Sequence, residues 1–222
     1  MRRLELVLLL GLLSVGCSSE YVGEKGALAF RLRLGGCTSV PLAETPVAVG
    51  GETDLEIGDD EKRTTLTVAS GAPEVLAIAT PATFELKCPD DACEQTRGRV
   101  TLQPLQEGSA RLTFTSGAEL VDAVTLRARR AARLVIVDED GDSEDLGTRV
   151  GTSLELTARL LHAGSDIVVA TRPFTWRVEG GALAPTDSDE GHVTLEAIAA
   201  GTSTVSVTFR ELTATTVVKV KP

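Results

Sequence analysis

The sequence predicts an all-β protein built from two tandem β-sandwich domains. Three observations lead to this prediction: short runs of alternating polarity, frequent Gly and Pro between them, and an internal repeat. After the first sixteen residues, no long stretch has apolar residues at helical spacing. The predicted units are residues 27–130 and 131–222, preceded by a cleaved leader at 1–16 and a short tether at 17–26.

The internal repeat sets the predicted domain organisation. The segment "GRVTLQPLQEGSARLTF" from Gly98 matches "GHVTLEAIAAGTSTVSV" from Gly191, 93 residues later, and another alternating strand follows each copy. A repeat of this length, made of alternating strands, indicates two stacked sandwiches. Gly108 and Gly201 stand where one strand turns into the next. We therefore predict that both are structural residues that need a positive φ or a close backbone approach.

Alternation within the repeat predicts which side chains are buried. In "TSTVSVTF", Val205, Val207 and Phe209 share one face of the strand, and Thr and Ser share the other. Between the two copies, "RARRAARLV" (127–135) is short and becomes apolar at its end. We interpret it as the last strand of the first domain running almost directly into the first strand of the second.

The N-terminus has the layout of a secretory signal. In "MRRLELVLLLGLLSVG", two arginines precede an apolar run that is too short to span a membrane and that ends in small residues. The following "LSVGC" resembles the bacterial lipobox, although Ser14 stands where that family usually has leucine. The resemblance implies cleavage before Cys17, which then carries a diacylglycerol thioether and commonly a palmitate-type chain on its amine. The alternative is a secreted protein with a free Cys17.

The residue after the lipobox cysteine predicts a location. Lipoproteins with aspartate there stay in the inner membrane, and this chain has Ser18 instead. The resemblance therefore implies the outer membrane of a Gram-negative bacterium, with the protein facing the periplasm or the surface. The lipid would supply the membrane contact.

The repeat, following a Trp-containing strand, is similar to the bacterial immunoglobulin-like domains of invasin- and intimin-type proteins. In "FTWRVEGG", Trp176 is then expected to be the buried tryptophan of a central strand. The similarity covers residues 150–220, but in the first copy it begins only near Val100, because "LTVASGAPEV" at Leu66 has no Trp. Domains of this class serve as spacers, adhesins and assembly modules, so the resemblance implies the fold and leaves the function open.

Composition excludes some partners. The net charge is −10, which argues against nucleic acid and against electrostatic binding to anionic lipid. Aromatic residues are 3% of the chain, too few for the stacking platforms of single-strand nucleic-acid binders and many sugar-binding modules. The expected partner is a protein or glycan that the sequence does not identify.

The sequence does not indicate catalysis. His162 and His192 are the two histidines, and neither lies in a nucleophile or zinc-protease motif. We expect no enzyme activity and no cofactor other than a possible structural calcium ion. A hydrolase with an unrecognised site is the least favoured reading.

The cysteines after Cys17 allow a disulfide. Cys88 and Cys93 flank a short Pro- and Asp-containing segment, and their pairing would close a hairpin in an oxidising compartment. Pairing of Cys37 with one of them is the main rival, and either choice leaves one thiol over. A zinc site would need a fourth ligand, and no histidine is close in sequence.

The stretch "DEDGDSED" (138–145) holds six carboxylates in eight residues. Asp138, Asp140 and Asp142 have the spacing of the first ligands in a calcium loop. The helix–loop–helix type is ruled out, because Ser143 and Arg149 occupy the positions of its Gly and Glu. A looser calcium loop and a solvated acidic turn remain. The loop is expected just past the interdomain junction, where a metal could stiffen the angle between the domains.

These observations favour a non-catalytic, envelope-anchored lipoprotein whose immunoglobulin-like domains act in adhesion, binding or envelope assembly. A calcium-dependent ligand-binding module is the alternative from a different class.

Overall fold

The computed structural model describes residues 21–33, 39–40, 42, 45–88, 95–141, 146–163, 167–189 and 191–222. The described residues form strands in two groups, and each group makes two sheets that face each other. Among these residues, no helix has the length and apolarity needed to cross a membrane. The predicted all-β fold is confirmed.

The first sandwich contains eleven strands, of which the short β1, β3 and β8 extend the edges. Their bounds are β1 Tyr21–Val22, β2 Ala29–Arg33, β3 Ser39–Val40, β4 Val47–Ala48, β5 Thr53–Asp59, β6 Thr65–Ser70, β7 Leu76–Ile78, β8 Thr83–Glu85, β9 Thr96–Pro104, β10 Gly108–Ser116 and β11 Glu119–Arg129. One sheet has the order β1-β2-β5-β9-β7, with β3 also on β2. The other has the order β4-β11-β10-β6-β8.

The second sandwich repeats this plan with nine strands. Their bounds are β12 Arg133–Val137, β13 Gly147–Arg149, β14 Ser153–Leu161, β15 Ile167–Val168, β16 Thr175–Glu179, β17 Leu183–Asp189, β18 His192–Ala197, β19 Gly201–Phe209 and β20 Leu212–Lys221. One sheet has the order β12-β14-β18-β17, with β15 also on β14. The other has the order β13-β20-β19-β16.

The strand order identifies both units as immunoglobulin-like sandwiches. In each, one sheet has the A-B-E-D arrangement of that fold, formed by β2, β5, β9 and β7 in the first sandwich and by β12, β14, β18 and β17 in the second. The other sheet contains strands G, F and C, which are β11, β10 and β6 in the first sandwich and β20, β19 and β16 in the second. A short strand before B crosses to the second sheet and pairs parallel with the last strand: β4 with β11, and β13 with β20. The 93-residue sequence repeat therefore corresponds to a repeat of topology, with β9 and β10 matching β18 and β19.

Each sandwich has its own apolar core. Phe30 and Phe114 meet in the first, with ring centroids 5.0 Å apart, and Phe174 and Phe209 meet in the second at 5.1 Å. The alternation predicted for β19 is confirmed, because Val205, Val207 and Phe209 are buried while the residues between them are partly exposed.

The two repeat glycines begin their strands as predicted. Gly108 opens β10 with φ +156°, and Gly201 opens β19 with φ +147°. A Cβ on Gly108 would come within 3.1 Å of Val75. Backbone geometry and close packing therefore both favour glycine at Gly108.

Trp176 differs from its expected place. It lies on β16, which pairs with β19 alone among the described strands and forms the end of its sheet, so the strand is not central. The side chain is partly buried against the second core, and its Nε1 has no hydrogen-bond partner among the described residues. The reason is topological: this sheet has no described strand beyond β16 to cover the ring.

A buried carboxylate fixes the N-terminal segment to the first sandwich. Asp122 on β11 is fully buried and accepts hydrogen bonds from the backbone N–H groups of Lys25 (2.8 Å), Ala27 (2.9 Å) and Leu28 (2.8 Å). A Cβ on Gly23 would overlap the same carboxylate. Asp122 lies near the start of β11, at the end of this sandwich remote from the second one. We call this contact the N-terminal clamp.

An ion pair on the surface adds to the clamp. The Arg111 guanidinium binds the Glu24 carboxylate through Nε (3.0 Å) and Nη2 (2.7 Å). The hydrogen bond from Arg111 holds the pKa of Glu24 below its ordinary value of 4.5, and raises the pKa of Arg111 in turn. Since both side chains are exposed, solvent screens the pair.

We predict that Asp122→Ala destabilises the protein strongly. Four backbone N–H groups, those of Lys25, Ala27, Leu28 and Ala123, lose a charged acceptor, so the free energy of unfolding should fall by about 3 kcal/mol. Urea unfolding measures the change. Asp187→Ala, which removes an exposed aspartate on β17, should cost little, and equal losses in the two variants would contradict the clamp.

We also predict a pH effect at Glu24. A carboxyl whose folded-state pKa is lowered contributes stability above its unfolded pKa and loses it as the pH falls through the folded value. The clamp should therefore loosen in acid, below pH 4.5. In Arg111→Gln, the pKa of Glu24 measured by carboxyl NMR titration should rise toward 4.5. Arg127→Gln, an exposed change on β11, should leave it in place.

Candidate functional site at the domain junction

The predicted calcium residues are only partly within the described chain, because Asp142 lies outside it. Asp138 Oδ1 accepts a hydrogen bond from Asp140 N (3.1 Å), and Asp138 O accepts one from Gly141 N (3.1 Å). These contacts make a turn. No group of three or more His, Cys, Asp or Glu residues in the described ranges is placed to hold a metal. Calcium binding remains a prediction.

The position predicted for the acidic loop is wrong. Arg133, the first residue of β12, lies beside the junction, and the loop begins five residues further on. At the rise of an extended strand, Asp138 is about 16 Å from Arg133. A metal in this loop would therefore not act on the angle between the domains, because β12 carries the chain away from the junction.

The cysteine predictions stay open. Cys17, Cys37 and Cys93 lie outside the described residues, and Cys88 follows β8 at the end of the first sandwich remote from the second. The lipid on Cys17 and the pairing of Cys88 with Cys93 therefore remain predictions.

The two histidines lie apart from each other along the second sandwich. His162 Nδ1 is 2.8 Å from Arg130 O, which places it at the junction. His192 begins β18, which lies between β14 and β17. Its Nε2 is 3.7 Å from Glu155 Oε2.

A short link and its polar contacts join the two sandwiches. β11 ends at Arg129 and β12 begins at Arg133, so three residues join the sandwiches. Ala132 N donates to Leu161 O (2.8 Å), and Arg130 N donates to Glu107 Oε1 (3.0 Å). The Arg130 contact holds the pKa of Glu107 below its ordinary value. The three-residue link is therefore hydrogen-bonded to both sandwiches.

Two backbone segments pair across the junction: residues 46–54 of the first sandwich and 168–172 of the second. Ala48 N donates to Val169 O (2.7 Å), and Glu52 N donates to Arg172 O (2.7 Å). In return, Thr171 N donates to Glu52 O (2.7 Å). The pairing is parallel at Val47–Val169 and antiparallel at Glu52–Arg172. It works as a short piece of sheet shared by both domains.

Side chains reinforce this pairing. Thr53 Oγ1 donates to Val169 O (3.1 Å), and Asp54 N donates to Thr171 Oγ1 (3.0 Å). Val169 and Thr171 are almost fully buried. Their polar atoms must be paired inside the protein because water does not reach them.

A charged network surrounds Asp54, whose side chain is buried. Its Oδ1 accepts from Thr101 Oγ1 (2.7 Å) and Arg172 Nη2 (3.4 Å), and its Oδ2 is 3.6 Å from Arg99 Nη1. Arg172 Nε also donates to Glu52 Oε2 (3.0 Å). A buried carboxylate that loses its partners is strongly destabilising, so the network ties Arg172 to the first sandwich.

Apolar packing crosses the junction as well. Ala48 belongs to the first sandwich by its strand, but it is fully buried in the core of the second. A Cβ on Gly51 would stand 2.8 Å from Ala170 Cβ and 3.0 Å from Phe209 Cζ. The second sandwich therefore approaches the first too closely for any side chain at position 51.

Arg210 fixes a second point of contact. It lies in the two-residue turn between β19 and β20 with φ +52°, a left-handed conformation that costs a non-glycine residue about 1 kcal/mol. Its Nε donates to Gly50 O (2.6 Å), and its side chain fills the space that a Cβ on Gly50 would need. Glycine at position 210 would remove the backbone strain in the turn, but it could not donate this side-chain hydrogen bond to Gly50 O.

A cleft of about 180 Å³ opens beside Arg210. Its lining comes from both sandwiches and from the link between them: Val49, Gly50, Gln103, Pro104, Leu105, Arg130, Ala131, Phe209, Arg210, Glu211 and Leu212. This volume is below the range of about 300–1,000 Å³ typical of sites for drug-sized ligands.

Sequence reasoning did not find the junction residues. Glu52, Asp54, Arg172 and Arg210 look like ordinary surface charges in the sequence, and the strand pattern gives no sign of their partners. The consecutive Gly50 and Gly51 are the one usable signal, since paired glycines at a strand start often mark close backbone approach.

Comparisons with known proteins do not assign the chain to a family. No protein-family model and no curated protein matches the sequence. Among solved structures, domains 5–6 of the S-layer protein SbsC show 17% identity and a TM-score of 0.33, covering 79% of this chain and 92% of that one. The Yersinia pseudotuberculosis adhesin InvE shows 13% identity and 0.35, covering 90% and 62%. The Escherichia coli adhesin FdeC shows 16% and 0.33, covering 92% and 66%.

We predict that Gly51→Ala weakens the junction. The new methyl group would overlap Ala170 and the Arg172 carbonyl, so the free energy of unfolding should fall by about 1–3 kcal/mol. Small-angle X-ray scattering should also show a wider range of interdomain arrangements. Gly181→Ala is the matched control, because a Cβ there meets no atom of the described residues within 4 Å. An unchanged scattering curve for Gly51→Ala would contradict a tight junction.

Proposed function

We propose that this chain is a non-catalytic lipoprotein of the bacterial envelope whose two sandwiches form a stiff stalk. The stalk presents a surface for adhesion, for binding a protein or glycan, or for envelope assembly. The observation that carries the proposal is the junction, where backbone pairing between residues 46–54 and 168–172 joins the two domains. A stalk needs this resistance to bending, whereas independent binding modules on a flexible tether do not.

The N-terminal clamp supports the same function. Asp122 fixes residues 25–28 at the end of the first sandwich that is remote from the junction. In the proposal, Cys17 carries the lipid, and four extended residue steps to Tyr21 reach at most about 14 Å. The first sandwich then stands next to the membrane, and the second extends away from it.

The lipid explains how this negatively charged protein is held at the membrane without electrostatic attraction. With a net charge of −10 the protein gains nothing from anionic headgroups, so acyl chains on Cys17 supply the anchor in the proposed outer membrane. Two or three chains hold a protein far more firmly than one. The clamp then converts that anchorage into a defined orientation.

We predict that Cys17→Ser abolishes incorporation of radiolabelled palmitate and releases the protein from the membrane fraction. The thiol is the acceptor of the lipid, so no other residue can replace it. Cys37→Ser should retain the label and the membrane location. Labelling that survives Cys17→Ser would reject the anchor, and the stalk would then belong to a secreted protein.

A further inference from the structure

The outer edge of β16 can accept a further strand. β16 runs over Thr175–Glu179 and pairs with β19 in a register without a bulge. No backbone hydrogen bond joins its other edge to a residue in the described part of the chain. The next edge strand, β17, has a register shift after Pro185, and both features discourage further pairing. β16 has neither, so its outward N–H and C=O groups form a regular template for pairing.

The equivalent strand of the first sandwich is covered. β6 is strand C of that sandwich, and β8 adds to its outer edge through three residue pairs centred on Leu66 and Phe84. Phe84 also packs against the first core, with its ring centroid 6.5 Å from that of Phe114. A strand at this place therefore completes both the sheet and the apolar core beneath it.

The second sandwich has too little chain for such a cover. β8 lies between β7 and β9, whereas only residues 190 and 191 separate β17 from β18. Two residues are too few for a strand that could cover β16. The side chains of Trp176 and Val178, on β16, are only partly buried against the second core. A strand that completes this edge must therefore come from outside the second sandwich.

The exposed side chains of β16 carry complementary charges. Thr175, Arg177 and Glu179 are exposed, and they alternate with the partly buried Trp176 and Val178. The Arg177 and Glu179 side chains are 75% and 59% exposed, and Arg177 Nη2 lies 2.9 Å from Glu179 Oε1. If a second β16 paired antiparallel with the first, centred on Val178, a cation would lie opposite an anion twice. Opposite charges that face each other across two strands stabilise their pairing.

We propose that β16 pairs with β16 of a second copy of this chain, antiparallel and about a two-fold axis at Val178. Arg177 of each copy then lies opposite Glu179 of the other, and the two four-stranded sheets join into one. Trp176 lies opposite Gly180, which has no side chain to obstruct the indole ring. The pairing joins residues 177–179 of each copy, as many pairs as join β8 to β6.

Charge and strand faces select this register over its neighbours. A relative shift of one residue would oppose side chains that belong to different faces of the sheet. A relative shift of two residues would bring Arg177 opposite Arg177, or Glu179 opposite Glu179, and like charges directly opposite each other are destabilising. Of these registers, the one centred on Val178 satisfies both the faces and the charges.

Single charge reversals test this pairing. In R177E the four charged groups at the two-fold axis are all negative, and in E179R they are all positive. Each variant alone should therefore dimerise at least about tenfold more weakly than the wild type. A mixture of the two variants restores both opposite pairs between copies and should restore dimerisation. The Arg177–Glu179 pair within one copy is lost in both variants and stays lost on mixing, so it cannot explain the recovery.

Energy transfer between full-length chains, labelled at the C-terminus with a donor or an acceptor fluorophore, measures the association. The measurement is a concentration series in the detergent solution used for purification, so it does not depend on the lipid proposed for Cys17. Glu196→Arg reverses an exposed charge on β18 and should dimerise like the wild type. Melting curves confirm that each variant folds.

Three results would overturn the proposal. The first is a wild type without concentration-dependent energy transfer. The second is a loss of transfer in Glu196→Arg equal to that in the two β16 variants, because the effect would then not be specific to this edge. The third is a mixture of R177E and E179R that dimerises no better than either variant alone, because the copies would then not meet with Arg177 opposite Glu179.

Discussion

The backbone pairing between residues 46–54 and 168–172 is the interaction on which the rest of the molecule depends. Val169 and Thr171 are buried at this place, so their amide and carbonyl groups have no access to water. The facing segment of the other sandwich pairs both amide groups and the Val169 carbonyl. Separation of the domains would leave these groups to be rehydrated and would expose Ala48, which packs in the second core. Separation of the domains would therefore also disturb the core of the second sandwich.

The N-terminal clamp and the junction lie at opposite ends of the first sandwich. β11 carries Asp122 near its start and Arg129 at its end, so one strand connects the N-terminal clamp to the junction. Backbone strain occurs at the same place, since Arg210 has a left-handed conformation in the two-residue turn between β19 and β20, and its side chain bonds Gly50. Strained residues persist where the surrounding contacts require them.

Equivalent residues of the two sandwiches can be compared, because they have the same local backbone but different neighbours. Gly50 and Gly151 both have a positive φ and both donate a backbone hydrogen bond to the last residue of a strand, yet among the described residues a Cβ would meet the Arg210 side chain at Gly50 and nothing within 4 Å at Gly151. Where the environment changed, the residue changed too: Gly51 permits the close approach of Ala170, and Thr152 does not. Comparison of the two ends therefore separates what the fold requires, the positive φ of the glycine, from what the junction requires, the absence of a side chain at position 51.

The sequence by itself determined the fold class, the repeat, the alternating faces of β19 and the structural role of Gly108 and Gly201, where it left a positive φ and a close backbone approach as alternatives. These features depend on local geometry, since strand alternation and glycine conformation are set by adjacent residues. It misplaced Trp176 and the acidic loop, because the position of a strand within a sheet depends on pairing with distant strands. Only the tertiary structure decided that Asp54, Arg172 and Arg210 hold the two sandwiches together. Their partners lie more than a hundred residues away in the chain, and a sequence pattern carries no record of such contacts.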